Sequence, residues 1–263
     1  MLPKLQSKQM NFSQSFGLGE ESFRPFSMFV WQCGGKFFKE DLTASAWDEP
    51  EAVRGFTELV ELYTKYKIPK EDIAIESFRR GEIPIMLLAW WNYGSFQQSL
   101  PELKGKWGVE LVPGHVRNGK LDQANWFGGT PLMIFKTSRH QKEAWEFIKW
   151  FFQDDIQAEF GSRIMKRIPA AFFFSANMEV AKKIDYFPKE HIKTMYEQSY
   201  QSMAPRYGLG SVVGYRFVRD AAMSVLLQNT KPEEALTKAY KQVDAEMKRK
   251  VGEFERFIKR IKK

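Results

Sequence analysis

Three stretches of the chain repeat hydrophobic residues at the three- and four-residue spacing of an amphipathic α-helix. The first opens with a capping sequence at Asp48, has Pro50 in its first turn and ends before Pro69. Its hydrophobic positions are Val53, Phe56, Leu59, Val60, Tyr63 and Tyr66. Because these positions share one side of a helix, the pattern predicts a helix that packs this face on other elements.

Two further helices are predicted from the same spacing. One covers residues 141–152 and is opened by a capping box at Ser138. Its apolar face comprises Ala144, Trp145, Ile148, Phe151 and Phe152. The other is opened by Thr230 near the C-terminus. Its apolar face comprises Ala235, Leu236, Ala239, Val243 and Met247.

Short continuous apolar runs between the helices indicate buried strands. They cover residues 83–88, 109–112 and 132–135. Since helices and strands alternate along the chain, the pattern predicts an α/β fold.

Composition adds an excess of aromatic residues to this picture. The chain has 263 residues, enough for one large or two ordinary domains. Aromatic residues make up 15% of it, with 23 Phe, nine Tyr and eight Trp. This exceeds what a core of this size ordinarily needs, so we expect some rings to serve a ligand or a partner.

The net charge of +8 is concentrated at the C-terminus. Residues 248–263 contain eight basic and two acidic side chains, so the rest of the chain is nearly neutral. This distribution indicates that the basic residues form the solvated face of a C-terminal helix. Binding of a nucleic acid or of an anionic membrane surface is the less favoured explanation of the charge. We therefore expect no nucleic-acid partner.

The only cysteine, Cys33, excludes an internal disulfide and is interpreted as a small buried residue. The N-terminal residues lack the apolar stretch of a secretory signal, and no run approaches the roughly 20 apolar residues of a membrane span. We expect neither an export signal nor an anchor in these residues.

Two groups of aromatic residues lie beside glycines in predicted loops, and they are the main candidates for a binding site. The first group, which follows the predicted strand at 83–88, is Trp90, Trp91, Asn92 and Tyr93. The second group is Trp126, Phe127, Gly128 and Gly129. Sugars offer apolar C–H faces to aromatic rings and hydroxyls to polar side chains, so both groups suit a carbohydrate. The alternative is that Trp90 and Trp126 are packing residues, because Trp is highly buried on average.

An enzymatic function is not favoured by the sequence. A glycoside hydrolase needs two carboxylates about 5 to 10 Å apart, whereas Asp154 and Asp155 are adjacent at a helix end and point in different directions. His115, His140 and His191 lack metal-ligand spacing, and neither a phosphate-binding loop nor a nucleophile elbow is present. We expect no catalytic residues, no metal and no cofactor.

Several short motifs together resemble the extracellular solute-binding proteins of carbohydrate ABC transporters. They are WDEPEAV at 47–53, ESFRRGEIPIM at 76–86 followed by Trp90, KWGVELVPG at 106–114, the Gly128–Gly129 pair, EAWEFIK at 143–149, IPA at 168–170 and PEEAL at 232–236. No single motif is specific, but their order over about residues 30–247 is.

The resemblance implies a type II periplasmic-binding-protein fold, whose two lobes close on a solute. It assigns residues 1–113 to the second lobe, 114–168 to the hinge and the returning segment of the first lobe, and 169–263 to helices that pack back on the second lobe. Trp90 matches the family's tryptophan that commonly stacks on sugar. The family's contacts near its Gly-Gly segment match Trp126, Phe127 and Gly128.

The resemblance adds Trp31 as a secondary candidate and implies a function, while the residues themselves add Tyr207 and Arg216. Trp31 lies where the family often turns beside the cleft, although core packing is an equal alternative. Tyr207 and Arg216 lie in a flexible segment, where an arginine could bind sugar hydroxyls or a carboxylate, or simply form surface pairs. The implied function is reversible sugar binding in an aromatic-lined cleft between the lobes, outside the cytoplasm, with delivery to the transmembrane permease subunits of an ABC importer.

The chain departs from the family pattern at its start. Family members begin with an export signal, usually with a lipidated cysteine, and most of the first lobe, so we expect this chain to be a C-terminal portion. The alternative function is a truncated or split lobe that binds no ligand by itself and pairs with a separate first lobe. In that case Trp145, Phe151 and Phe152 would form an exposed apolar patch.

Overall fold

Helices dominate the computed structural model, which describes residues 2–14, 22–70, 75–168, 170–186 and 188–261. The α-helices of these residues are α1 (Leu2–Gln6), α2 (Phe23–Gln32), α3 (Pro50–Thr64), α4 (Ile75–Arg79), α5 (Tyr93–Ser99), α6 (Gln141–Phe151), α7 (Asp154–Arg167), α8 (Met178–Lys183), α9 (Lys189–Gln201), α10 (Gly214–Gln228) and α11 (Pro232–Ile261). Short 3₁₀ helices cover Trp90–Asn92, Pro101–Leu103 and Ser211–Val213.

Within the described residues, the strands are short and form two separate pairs. Strand β1 (Phe12–Gln14) runs parallel to β2 (Ile85–Leu87), with Phe12 opposite Ile85. Strands β3 (His115–Arg117) and β4 (Lys120–Asp122) form an antiparallel hairpin. Its turn residues Asn118 and Gly119 have φ values of +52° and +75°, the left-handed conformation that a tight two-residue hairpin requires.

The chain divides into two compact units. Unit 1 comprises Met1–Leu87, Leu111–Phe127 and Gln198–Lys263, and unit 2 comprises Leu88–Glu110 and Gly128–Glu197. These boundaries differ from those of the predicted segments 1–113, 114–168 and 169–263, because residues 88–110 group with residues 128–197. The assignment of the segments to lobes stays a prediction.

The core of unit 1 is formed by α2, α3, α10 and α11 together with the loop around Trp47. The Phe26 ring packs edge-on against Trp47 and Phe56, with centroids 5.6 and 5.5 Å apart. Helices α2 and α3 approach closely at Gly55, where an added Cβ would lie 2.8 Å from the backbone nitrogen of Val30. Gly55 is therefore required by the contact between these two helices.

Two predicted helices of unit 1 are confirmed, but the predicted face of α3 is buried only in part: Val53 is half-buried, and Tyr66 lies beyond Thr64, the last residue of the helix. In α3, Phe56, Leu59 and Val60 are fully buried, and Pro50 occupies its first turn. Glu49, rather than Asp48, is the N-cap residue, and its side chain makes no capping hydrogen bond. The entire predicted face of α11 is buried: Ala235, Leu236, Ala239, Val243 and Met247.

Three glutamine side chains hold the base of the β3–β4 hairpin. The Gln32 amide donates to the carbonyl oxygens of Pro113 and Ala124, at 3.0 and 2.9 Å. Gln198 accepts a hydrogen bond from the Val112 N–H at 2.9 Å and donates to the Gln123 carbonyl at 3.0 Å. Gln123 in turn donates to the Val112 carbonyl at 2.6 Å. These bonds satisfy backbone groups of residues 112–124 that strands would otherwise have to pair.

Unit 2 has a smaller core around α8 and α9. Its buried residues include Val180, Ile184, Ile192 and Tyr196. Helix α8 is capped by Asn177, whose side-chain oxygen accepts a hydrogen bond from the Glu179 N–H at 2.9 Å.

Helix α6 is confirmed over Gln141–Phe151, but none of its residues is buried. Trp145 exposes 54% of its surface, as does Phe147, and Phe152 beyond the helix end exposes 52%. Phe151 is half-buried. The capping box predicted at Ser138 is wrong: His140 is the N-cap residue, and the Ser138 hydroxyl only accepts from the His140 N–H at 3.2 Å.

The strands predicted at 109–112 and 132–135 are wrong, since both segments have irregular backbone. Met133 and Phe135 expose 72% and 74% of their surface. A strand needs a hydrogen-bonded neighbour, and within the described ranges no strand pairs with either segment. The strand predicted at 83–88 is confirmed as the shorter β2, which has β1 as its partner.

Candidate functional site

The first aromatic group lies in unit 2, where a 3₁₀ turn over Trp90–Asn92 leads directly into α5. The half-buried Trp90 ring contacts Trp91 edge-on, with centroids 5.6 Å apart. It also lies 5.4 Å from Phe174 and 6.2 Å from Phe172. Trp91 exposes 39% of its surface. Packing therefore fixes Trp90, while part of Trp91 stays in contact with solvent.

Tyr93 differs from its neighbours in being buried, with 6% of its surface exposed. Its hydroxyl lies 2.8 Å from Nδ1 of the buried His191 and accepts a hydrogen bond from the Gln97 amide at 2.8 Å. Burial raises the pKa of the Tyr93 phenol well above its usual value, so it stays neutral. These contacts make Tyr93 a support for the 3₁₀ turn. Sequence reasoning missed the pairing because His191 is far away along the chain in a polar stretch.

The second group begins in unit 1 with Trp126 and Phe127. Backbone hydrogen bonds tie the residues on either side of Trp126 to Met203: Met203 N–H donates to the Asn125 carbonyl at 2.8 Å, and Phe127 N–H donates to the Met203 carbonyl at 2.9 Å. The Arg24 guanidinium lies 4.2 Å from the centre of the Trp126 ring, a cation–π contact. Among the described residues, the Trp126 indole N–H is buried and has no hydrogen-bond partner.

Gly128 and Gly129 open the second segment of unit 2. Gly129 is exposed, and a Cβ added there would meet nothing within 4 Å. Packing therefore leaves room for a larger residue at this position.

The secondary candidates lie in unit 1 but in different surroundings. Trp31 is buried in the core against Phe37, with ring centroids 6.5 Å apart. Tyr207 exposes 40% of its surface, and its hydroxyl is 3.0 Å from that of Tyr215. Arg216 is exposed, with its guanidinium over the ring of the adjacent Phe217. Of these three, only Tyr207 and Arg216 present surface to solvent.

Asp154 and Asp155 lie in the first turn of α7, not at the end of a helix as expected. Carboxylates at this position interact favourably with the helix dipole. The Asp154 carboxylate accepts from the Asn177 amide at 2.8 Å, and Asp155 pairs with Lys183 at 2.7 Å. Both carboxylates thus have structural partners.

Three potential metal ligands from separate parts of the sequence meet in unit 1. The Cys33 Sγ atom, one Glu58 carboxylate oxygen and one His115 ring nitrogen all lie within 4.8 Å of one another. His115 Nε2 is 2.7 Å from the Glu58 carboxylate. Burial, aided by the nearby Glu58 charge, raises the pKa of the Cys33 thiol to about 11. Sequence reasoning missed this cluster because it looked for ligand spacing among the histidines alone.

No helix within the described part of the chain combines the length and apolarity needed to cross a bilayer.

Comparisons with known proteins agree on one family. The model of the family described as bacterial extracellular solute-binding protein matches residues 5–158. The maltotriose-binding protein of Pyrococcus abyssi is 31% identical over 121 residues, which cover 45% of this chain and 26% of that protein.

Solved structures share the fold. The sugar-binding protein MalE from Xanthomonas citri superposes with a TM-score of 0.75 at 18% identity, covering 94% of this chain and 61% of MalE. A solute-binding protein from Thermotoga lettingae, bound to α-D-tagatose, gives a TM-score of 0.71 at 20% identity, covering 94% of this chain and 63% of that protein. This chain thus spans about a quarter of the Pyrococcus protein and about three fifths of these two structures.

These likenesses confirm the predicted fold class, the α/β fold of type II periplasmic binding proteins. By name, the Pyrococcus protein and the two solved structures are binding proteins. Because the family model matches more than half of the residues, this chain belongs to the bacterial extracellular solute-binding protein family.

Proposed function

We propose that this chain carries part of the sugar-binding surface of an extracytoplasmic solute-binding protein, which binds a sugar or oligosaccharide reversibly and delivers it to an ABC permease. Family membership supports the solute-binding role. The name of the Pyrococcus relative, a maltotriose-binding protein, supports a sugar as the solute.

The proposal rests on the packing and exposure of the Trp90–Trp91 pair. Trp90 is held by Phe172 and Phe174, and Trp91 beside it keeps 39% of its surface exposed. A rigid, partly exposed aromatic platform gives a sugar face a large apolar contact and loses little side-chain entropy on binding. Asn92 supplies an adjacent amide that can donate to and accept from hydroxyls.

We further propose that the whole protein binds its sugar in an aromatic-lined cleft, to which the second aromatic group and two secondary candidates belong. Trp126, Phe127, Tyr207 and Arg216 would contribute rings and a guanidinium, and the backbone of Gly128 and Gly129 would allow close approach of the sugar. Trp31 and Tyr93, which are buried, would support the neighbouring contact residues.

Calorimetry with maltotriose on the full chain tests the aromatic platform. We expect Trp90→Ala and Trp91→Ala each to weaken binding by about 1–3 kcal/mol, the scale for loss of an aromatic anchor. Trp150→Ala is the matched control, because Trp150 is an equally large ring on α6, exposes 49% of its surface and should leave affinity unchanged. Unchanged affinity in both platform variants would remove the pair from the site.

The exposed face of α6 favours a second function, in which the chain acts as an interaction lobe without ligand binding of its own. Trp145, Phe147 and Trp150 expose about half of their surface, and exposed apolar patches of this kind are typical of protein–protein interaction sites. Size-exclusion chromatography and thermal unfolding, with and without maltotriose, separate the two functions. Self-association with sugar-independent melting supports the interaction lobe, and a sugar-dependent rise in melting temperature supports the sugar-binding surface.

A further inference from the structure

The side chains of a cysteine, a histidine and a glutamate, which belong to three different elements, lie close together in unit 1. Cys33 ends α2, Glu58 lies on α3 and His115 begins β3. Their ligand atoms lie within 4.8 Å of one another. Around a tetrahedral zinc ion, with bonds of about 2.0–2.3 Å, such atoms are separated by roughly 3.3–3.8 Å. Small side-chain movements would therefore bring all three onto one ion.

We propose that Cys33, Glu58 and His115 form a binding site for a zinc-type divalent cation. Thiolate and imidazole select a borderline-soft ion such as Zn²⁺ over Mg²⁺ or Ca²⁺, which take oxygen ligands. Three protein ligands leave the fourth tetrahedral position for water.

Solvent access and the hydrogen bonding of Glu58 suit such an ion. Glu58 and His115 expose 28% and 27% of their side chains, so an ion can reach the site from solvent, whereas Cys33 exposes only 9% of its surface. Arg54 Nε donates to Glu58 Oε1 at 2.9 Å, which leaves Oε2 directed at His115. Outer hydrogen bonds of this kind orient metal-binding carboxylates.

The hairpin that carries His115 is held in place by side-chain hydrogen bonds. Gln32, adjacent to Cys33, bonds the Pro113 and Ala124 carbonyls at the two ends of the hairpin. The position of His115 relative to Cys33 is thus set by the fold, not by the ion.

Binding has a defined proton balance. The Cys33 thiol loses its proton to solvent as the zinc–sulfur bond forms. His115 binds as neutral imidazole through Nε2: the proton that Nε2 directs at Glu58 leaves to solvent, Nδ1 carries the ring proton, and a bond to the ion replaces the contact with Glu58. No redox partner is involved.

Titration of the full chain with Zn²⁺, followed by calorimetry, tests the site. We expect one equivalent to bind, and Cys33→Ser, Glu58→Gln and His115→Gln each to weaken binding at least about tenfold. The matched controls are Glu61→Gln, one turn further along α3 with a surface ion pair to Lys65, and His140→Gln. Both controls should bind Zn²⁺ as the native chain does. Equal affinity in the native chain and all three ligand variants would show adventitious binding only and overturn the proposal.

The native chain offers a second readout that does not depend on the folding of any variant. Since Cys33 is its only cysteine, a near-ultraviolet sulfur-to-metal absorption band on addition of Co²⁺ reports this residue alone. One equivalent of Zn²⁺ should abolish the band and slow alkylation of the thiol, and Mg²⁺ should do neither. No band and no protection would overturn the site. Neither result bears on sugar binding, which is measured separately.

Discussion

Helices α3 and α6 have similar hydrophobic patterns but very different surroundings. In α3, the Phe56 ring is fully buried and packs against Phe26. In α6, the Phe147 ring exposes 54% of its surface, and its aromatic neighbours belong to α6 itself, such as Trp150 at 5.6 Å. An amphipathic pattern thus encodes an apolar face, whereas the stability gained from that face depends on what covers it.

Replacing Phe56 by alanine should give the largest effect of the changes considered. The loss of a fully buried ring and the cavity left behind should lower the free energy of unfolding by about 3–5 kcal/mol. Urea unfolding followed by circular dichroism measures this loss. A decrease below about 1 kcal/mol would mean that the α2–α3 contact is far looser than the structure indicates.

Gly55→Ala tests the closeness of the same contact. The added Cβ would lie 2.8 Å from the Val30 nitrogen and 2.9 Å from the Phe29 carbonyl carbon, so it should destabilise unit 1 by about 1–3 kcal/mol through overpacking.

The control for this change is Gly252→Ala in α11, where the nearest atom to an added Cβ is 3.6 Å away. It should stabilise the chain by about 0.5–1 kcal/mol through helix propensity alone. Equal effects of the two substitutions in urea unfolding would contradict close packing at Gly55.

Asn177→Ala tests whether the stability of unit 2 depends on the capping of helix α8. Loss of the hydrogen bond from the Glu179 N–H should cost about 1 kcal/mol. Ser138→Ala, before α6, should cost less than about 0.5 kcal/mol, because the Ser138 hydroxyl caps no helix. Thermal unfolding of both variants beside the native chain measures the difference, and a larger loss for Ser138→Ala would reverse our assignment of the caps.

Phe147→Ala should give the smallest change in stability. Because its ring is half in solvent, we expect less than about 0.5 kcal/mol in urea unfolding, in contrast to the same substitution at Phe56. Any self-association seen by sedimentation should decrease, since the exposed apolar patch becomes smaller. A destabilisation comparable to that of Phe56→Ala would show that α6 is covered in solution.

The sequence predicts the helices well because their patterns are local. The presence and approximate extent of α3 and α6, and every buried position predicted for α11, follow from hydrophobic spacing within one segment, whereas the predicted capping residues Asp48 and Ser138 do not cap these helices. The burial of α6 and the strand at 132–135 could not be predicted in this way, since both depend on neighbouring elements that an apolar run does not specify.

The candidate site shows the same limit. The aromatic residues at 90–93 are recognisable because they are consecutive, yet only the structure separates the exposed Trp91 from Tyr93, whose hydroxyl bonds His191. Likewise, Cys33, Glu58 and His115 are brought together by three elements distant in sequence, so no local motif marks them.

The glutamine hydrogen bonds at the base of the β3–β4 hairpin have a practical consequence for engineering. Since Gln32, Gln123 and Gln198 hold the two ends of the hairpin, its position does not depend on the residues at its tip. At that tip, Gly119 has nothing within 4 Å of an added Cβ. The Asn118–Gly119 turn is therefore a suitable place to insert a peptide tag or a fluorescent reporter domain, because the inserted segment would extend into solvent while its anchor stays fixed.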